Sequence, residues 1–174
     1  MRGGGIVQQQ TNLQQIMNEH TELLFRIAYY YTKNRSTAED IVQDVFIKFY
    51  YQEHYEERNE LRAYLAKMTS NKSKDYLKSW AFQKMKLTQK FTFLTGGSMQ
   101  DELFESTPLE KAVLSLPMKF KEVITYYYYE GFSIKEMAQI LSTNENTIKS
   151  RMKKAKQLLK DALVEGELEV MVNE

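Results

Sequence analysis

The sequence predicts an all-α fold of two small helical domains joined by a flexible linker. Three observations carry that expectation. Helix breakers are scarce, with 2 prolines and 7 glycines in 174 residues, and three of the glycines sit together at Gly3, Gly4 and Gly5. Such scarcity favours helices over a many-turned β fold. Apolar residues recur at helical spacing through most of the chain. The periodicity breaks over residues 91–109, where Gly96-Gly97-Ser98, an acidic cluster and Pro108 read as a linker. The expected domains are therefore residues 13–90 and residues 110–165.

The first helix is expected from about Leu13 to Thr32, with Leu23, Leu24, Ile27, Ala28 and Tyr31 on its apolar face. Lys33-Asn34-Arg35 reads as a turn. Ser36 with Glu39 has the spacing of a capping box and opens a second helix. There Ala38, Ile41, Val42, Val45, Phe46 and Phe49 follow the i, i+3, i+4, i+7 rule. Its opposite face holds Asp40, Gln43, Asp44 and Ile47. An apolar residue on an acidic face is a feature of partner surfaces, although single exposed apolar residues are also common without one. A third helix is expected from Leu61 to about Gln89, with Tyr64, Tyr76, Trp80 and Phe82 among its lysines. Lysines interleaved with aromatics suit single-stranded nucleic acid, where bases stack. The same aromatics could equally form the domain core, which is the expectation for Tyr64.

Beyond the linker, Leu109 to Leu116 reads as a helix. Pro117 suits the first turn of the next one. That helix runs into Tyr126-Tyr127-Tyr128-Tyr129. Four consecutive tyrosines cannot share one helix face, so some must pack and some must face outward. Gly131 ends the segment. Ser133 with Glu136 is a further capping box, followed by Ile134, Ala138 and Leu141 on one stripe. Ser142-Thr143-Asn144 favours a turn and an N-cap. The last helix buries Ile148, Met152, Ala155 and Leu159, while Asn146, Lys149, Ser150, Lys153, Lys154 and Gln157 fall outside that face. The tail after Leu163 is acidic and expected to fray. A basic second helix after a polar turn is what a helix-turn-helix needs to enter a major groove. A solvated amphipathic helix in an ordinary bundle shares the pattern.

Charge is segregated although the net charge is only +1. Residues 36–60 hold seven acidic and two basic side chains, residues 61–90 eight basic and one acidic. Residues 98–110 carry four acids and no base, residues 144–160 six bases and one acid, and residues 161–174 five acids and no base. Two separate basic blocks suggest two contacts with one polyanion. Cysteine is absent, so there is neither a disulfide nor a thiolate metal site. His20 and His54 have no second histidine at ligand spacing, so no metal and no cofactor is expected. No phosphate loop or nucleophile elbow is present, so no catalytic residue, no small-molecule substrate and no enzymatic activity is expected. No run reaches the length of a membrane span and the polar N-terminus does not read as a signal peptide, which fits a cytoplasmic protein. The residues alone leave open a stand-alone DNA-binding regulator, usually a dimer reading paired half-sites. They also leave open a helical interaction protein that binds no DNA.

Three blocks, in order, resemble the compact alternative sigma factors of bacterial RNA polymerase, the extracytoplasmic-function group of the sigma-70 superfamily. AEDIVQDVFIKFY (38–50) resembles the region 2 helix that grips the β′ clamp helices. LRAYLAKMTSNKSKDYLKS (61–79) resembles the segment that handles the −10 element. LSLPMKFKEVITYYYYEGFSIKEMAQILSTNENTIKSRMKKAKQLLK (114–160) resembles region 4, whose helix-turn-helix reads the −35 element. The resemblance implies an alternative sigma factor that binds core RNA polymerase through the β′ clamp helices and β flap, directs initiation at promoter DNA and aids melting. Because family members are commonly held by an anti-sigma factor, such an inhibitor is a further candidate partner.

Carried over residue by residue, the D-x-x-Q-D-x-F pattern falls on Asp40, Gln43, Asp44 and Phe46. The first three would make polar contacts to polymerase, and Phe46 lies nearer the buried face. Ile47 joins them from its place on the helical wheel. Asn71 and Asp75 match the family's N-x-x-x-D pair, and Lys72, Lys74 and Lys78 would follow phosphates beside the −10 element. Lys78 stands where the family often has arginine, so the bidentate fork is lost there. Thr147, Lys149, Ser150 and Arg151 match T-[IV]-K-S-R at the −35 element. Lys149, Arg151 and Lys153 are assigned to phosphates, with Lys154 beside them, and Asn146 and Ser150 to base edges.

Overall fold

The computed structural model describes residues 4–52, 60–79, 83, 84, 87 and 107–172, with side chains described from residue 13 to residue 164 of these. The chain divides into two units, Met1–Thr95 and Gly96–Glu174. Every regular element among the described residues is helical.

In the first unit, α1 (Gly4–Thr32), α2 (Arg35–Tyr50) and α3 (Leu61–Lys78) pack on one another pairwise. The backbone of α1 is helical from Gly4, ahead of the expected start at Leu13. Leu24, Ala28, Ala38, Ile41, Val42, Val45, Phe46 and Leu65 form one cluster. All but Leu65 belong to the apolar stripes read from the sequence on α1 and α2, and Leu24, Ala28, Ala38 and Leu65 are fully shielded from solvent. The face of α3 turned inward is unusual, because Thr69, Ser70 and Ser73 are all buried. Their hydroxyls are satisfied locally. Thr69 donates to the Leu65 carbonyl at 2.9 Å and Ser73 to the Thr69 carbonyl at 2.8 Å. Ser70 pairs with the buried Tyr31 hydroxyl at 3.1 Å. Buried polar groups partnered in this way add little cost.

The turn before α2 differs from the expected capping box. Asn34, not Ser36, is the N-cap, accepting from the Thr37 amide at 2.9 Å. Lys33 absorbs the turn with a φ of 51°. Helix α3 ends at Lys78, with Ser79 extended at ψ 154°, so the expected single helix to Gln89 is broken. Gln83, Lys84 and Leu87 are helical beyond it, while Trp80 and Phe82 lie outside the described residues. Tyr64 is half-buried; its ring leans on Phe49 and its hydroxyl donates to Gln52 at 2.6 Å.

In the second unit, α4 (Pro108–Ser115), α5 (Met118–Ile124) and α6 (Ile134–Ile140) each pack on the long α7 (Glu145–Val172). Thr107 and Glu110 form a full capping box with Pro108 just inside the helix, so Pro108 and Leu109 belong to α4 and not to linker. Pro117 stands one step earlier than expected, as the N-cap of α5. The tyrosine run forms a π-helical turn, Thr125–Tyr129. Its wider ring is closed by the Glu130 amide bonding the Thr125 carbonyl at 3.1 Å, and the Phe132 amide then bonds back to the Tyr126 carbonyl at 2.9 Å. Gly131 sits at φ +67°, which glycine adopts without strain. Tyr126 is buried edge-on against Phe132, while Tyr127, Tyr128 and Tyr129 face outward. The expected Ser133–Glu136 box is present in both directions and starts α6. The tail after Leu163, expected to fray, is helical to Val172.

Candidate functional site

Three exposed faces hold the residues singled out in the sequence. On α2, burying Ala38, Ile41, Val42, Val45 and Phe46 turns Asp40, Gln43, Asp44 and Ile47 to solvent. Ile47 is 55% exposed and stands among the polar side chains of this face. Phe46 corrects the expected set. It is 4% exposed and packs in the three-helix core, so it supports the face from behind and is not part of it.

On α3, Asn71, Lys72, Asp75 and Lys78 are exposed and Lys74 is half-buried. The Lys74 ammonium lies 5.7 Å from the centre of the Tyr31 ring. Lys72 reaches across to α2, with its Nζ 2.8 Å from Asp44 Oδ2. Lys78 sits in the last turn, where the helix dipole favours a cation. The half-buried His20 on α1 is held below its ordinary pKa by burial, against Glu19, which raises it, and with Arg62, which lowers it.

The third face belongs to the helix-turn-helix. The turn between α6 and α7 is tight, with the Thr143 amide bonding the Ala138 carbonyl at 2.9 Å and Ser142 at φ 49°. Asn144 caps α7 by accepting from the Thr147 amide at 2.8 Å. Asn146, Lys149, Ser150, Lys153 and Lys154 are exposed, and Thr147 and Arg151 are half-buried. Beneath them Ile148 and Ala155 are fully buried. Asn144, Asn146, Thr147, Ser150, Arg151 and Lys154 share one recess of about 580 Å³ with Phe120 of α5. Phe120 was not singled out in the sequence. Lys119 covers its ring at 5.0 Å. The neighbouring Lys121 is pushed below its ordinary pKa by burial.

A second recess in this unit, of about 520 Å³, lies against α7 on Leu159 and Leu163. Leu109, Val113, Ile124, Tyr128 and Tyr129 complete its apolar wall, and Lys156 and Lys160 edge it. It went unread in the sequence, although the outward tyrosines were the available signal. Among the described residues no three His, Cys, Asp or Glu side chains are grouped as metal ligands would be. No helix among them is long and apolar enough to cross a membrane.

The arrangement agrees with comparisons to known proteins. Residues 16–81 match the family described as Sigma-70 region 2, and residues 106–159 match Sigma-70, region 4. Together the two matches span well over half of the chain. The chain is 26% identical over 153 residues to the RNA polymerase sigma factor SigV of Bacillus subtilis, covering 87% of this chain and 91% of SigV. It is 26% identical over 145 residues to the ECF RNA polymerase sigma factor SigM of the same organism, covering 79% of this chain and 86% of SigM. Among solved structures, the sigma factor RpoE of Bartonella quintana, in complex with the anti-sigma factor NepR, aligns with a TM-score of 0.60 at 23% identity. That alignment covers 87% of this chain and 96% of RpoE. CnrH, in complex with the cytosolic domain of CnrY, aligns with a TM-score of 0.64 at 19% identity, covering 88% of each chain. Both likenesses concern the fold.

Proposed function

Because this chain belongs to the extracytoplasmic-function sigma factors of the sigma-70 family and directs promoter-specific transcription initiation, we propose how its three faces divide that work. The exposed α2 face binds core polymerase. Asp40, Gln43 and Asp44 make the polar contacts to the β′ clamp helices, and Ile47 adds the apolar centre that such interfaces favour. The α3 face handles the −10 element: Lys72, Lys74 and Lys78 follow phosphates, and Asn71 and Asp75 approach the unpaired strand. The α7 face docks on −35 duplex. Lys149, Arg151, Lys153 and Lys154 set position on phosphates, while Asn146 and Ser150 reach base edges with Thr147 beside them. The dipole of α7 favours phosphate at that same end. The apolar recess on the far side of α7 suits the β flap or an anti-sigma factor, and work on promoter DNA with core polymerase implies a cytoplasmic chain.

Melting follows from capture. An unpaired base held by the first unit offsets unstacking, which costs on the order of a few kcal/mol. The chain makes and breaks no bond; polymerase supplies the chemistry. The observation that carries this division is the acidic α2 face beside the basic α3 face within one unit, with a second basic helix in another. Run-off transcription with purified core polymerase over a genomic library tests it. Discrete starts that appear only when the chain is added are expected. Absence of promoter-specific initiation, with no inhibitor present, overturns the reading.

A further inference from the structure

The Asp44–Lys72 ion pair joins two faces that the function uses separately. Asp44 lies on the polymerase face of α2, and Lys72 on the basic face of α3. The pair measures 2.8 Å, with the two side chains still 53% and 50% exposed. Arg26–Glu22 and Arg35–Glu39 are i,i+4 pairs within single helices, whereas this pair bridges two helices. An ammonium is one compact charge. While it rests on a carboxylate, its attraction for a phosphate is largely cancelled. Neither partner is locked by burial, so each can exchange the other for an external ion at low cost.

We propose that Asp44 masks Lys72 from DNA until a cation of core polymerase takes the carboxylate, so that polymerase binding and capture of the single strand strengthen each other. The proposal rests on the assignment of the α2 face to polymerase. Linkage makes the effect reciprocal: strand binding to Lys72 exposes Asp44 to polymerase by the same factor. The factor is about fivefold at most, because exposed ion pairs are weak.

The test uses the full chain and a short fluorescein-labelled oligothymidine, with affinity read by anisotropy across a salt series. Asp44→Asn is expected to raise affinity about two- to fivefold. It should also steepen the slope of log affinity against log salt by about 0.7, the value for one further phosphate contact on a single strand. Asp40→Asn removes the same charge from the same face without touching Lys72 and should give a smaller gain. Lys72→Gln should lower affinity, and Asp44→Asn added to it should give no further gain. A gain equal to that of Asp40→Asn, or one that survives in the Lys72→Gln background, overturns the masking. Affinity for core polymerase, measured on Gln43→Ala with Asp44→Arg, separates the two levels. Lost core binding without coupling to Lys72 defeats the mask alone, while unchanged core binding defeats the α2 assignment and the mask with it.

Discussion

Adjacent side chains on α2 do different work, and the difference is measurable. Phe46 is buried among Leu24, Val42 and Leu65, whereas Gln43 and Asp44 look outward. Phe46→Ala should cost about 3–5 kcal/mol and lower the thermal midpoint of the first unit. Gln43→Ala with Asp44→Arg should leave the circular dichroism spectrum unchanged and abolish core binding; retained affinity would mean another face makes the contact. The helical wheel already set Phe46 toward the core, but a family pattern of four residues does not say which of them touch the partner. His20 carries a pH effect with a definite sign. Its folded pKa is depressed, first by burial, so the unfolded chain takes up the proton more readily. Stability therefore falls as pH drops below the ordinary imidazole value of about 6.5, and the loss is complete below the depressed folded value. Urea midpoints from pH 8 to pH 5 should fall more steeply for the wild type than for His20→Gln. Parallel curves would remove His20 from the account. This burial was not legible in the sequence, since His20 stands at the edge of the apolar stripe that begins at Leu23.

Helix faces were legible because burial and periodicity are one fact seen twice. Helix ends were less so. Asn34 lies two residues ahead of Ser36, and both are good caps; the positive φ at Lys33 decides for Asn34. The π-helical turn was invisible, because nothing in four tyrosines fixes the ring size of the turn. It sets Tyr126 inward against Phe132 and leaves the next three tyrosines outside. For α7 the cap and the reading face are coupled. Asn144→Ala should destabilise the second unit by about 1 kcal/mol, read by thermal melting, and should weaken binding to −35 duplex because it frees the end of α7 that carries Asn146 and Thr147. Substitutions further along α7 should separate by role. If Lys149 meets phosphate as proposed, Lys149→Gln should weaken all sequences alike and reduce the salt slope by about 0.9. Asn146→Ala or Ser150→Ala should instead relax discrimination at one base position, by about 1–3 kcal/mol, in a competition assay with randomised −35 duplexes. A sequence-independent loss for both classes would return Asn146 and Ser150 to positioning.

At the scale of the chain, the segregated charge predicts that the helix-turn-helix is insufficient alone. The net charge is +1, yet the α7 segment carries six bases against one acid, and 161–174 carries five acids. A short face with few phosphate contacts gives weak, salt-sensitive binding. In the proposed division, the first unit adds a second weak contact with the unpaired strand. Two weak contacts become strong only when their spacing is fixed, because the second then proceeds at a raised effective concentration. Under the proposed division of faces, core polymerase would supply that fixed spacing by gripping α2 and offering its flap to the recess beside α7. The isolated chain should therefore bind promoter duplex weakly and with a steep salt dependence, and core polymerase should tighten promoter binding by about 10²–10⁴-fold without any new DNA contact from this chain. Gel-shift titrations of one promoter fragment, with and without core, read both values. The Gln43→Ala, Asp44→Arg chain should lose the gain from core, and its weak intrinsic affinity for duplex should not fall, since neither side chain lies on the α7 face and loss of the Asp44 carboxylate frees Lys72. Tight, sequence-specific binding by the chain alone would instead describe a free-standing regulator, for which the acidic face of α2 has no use.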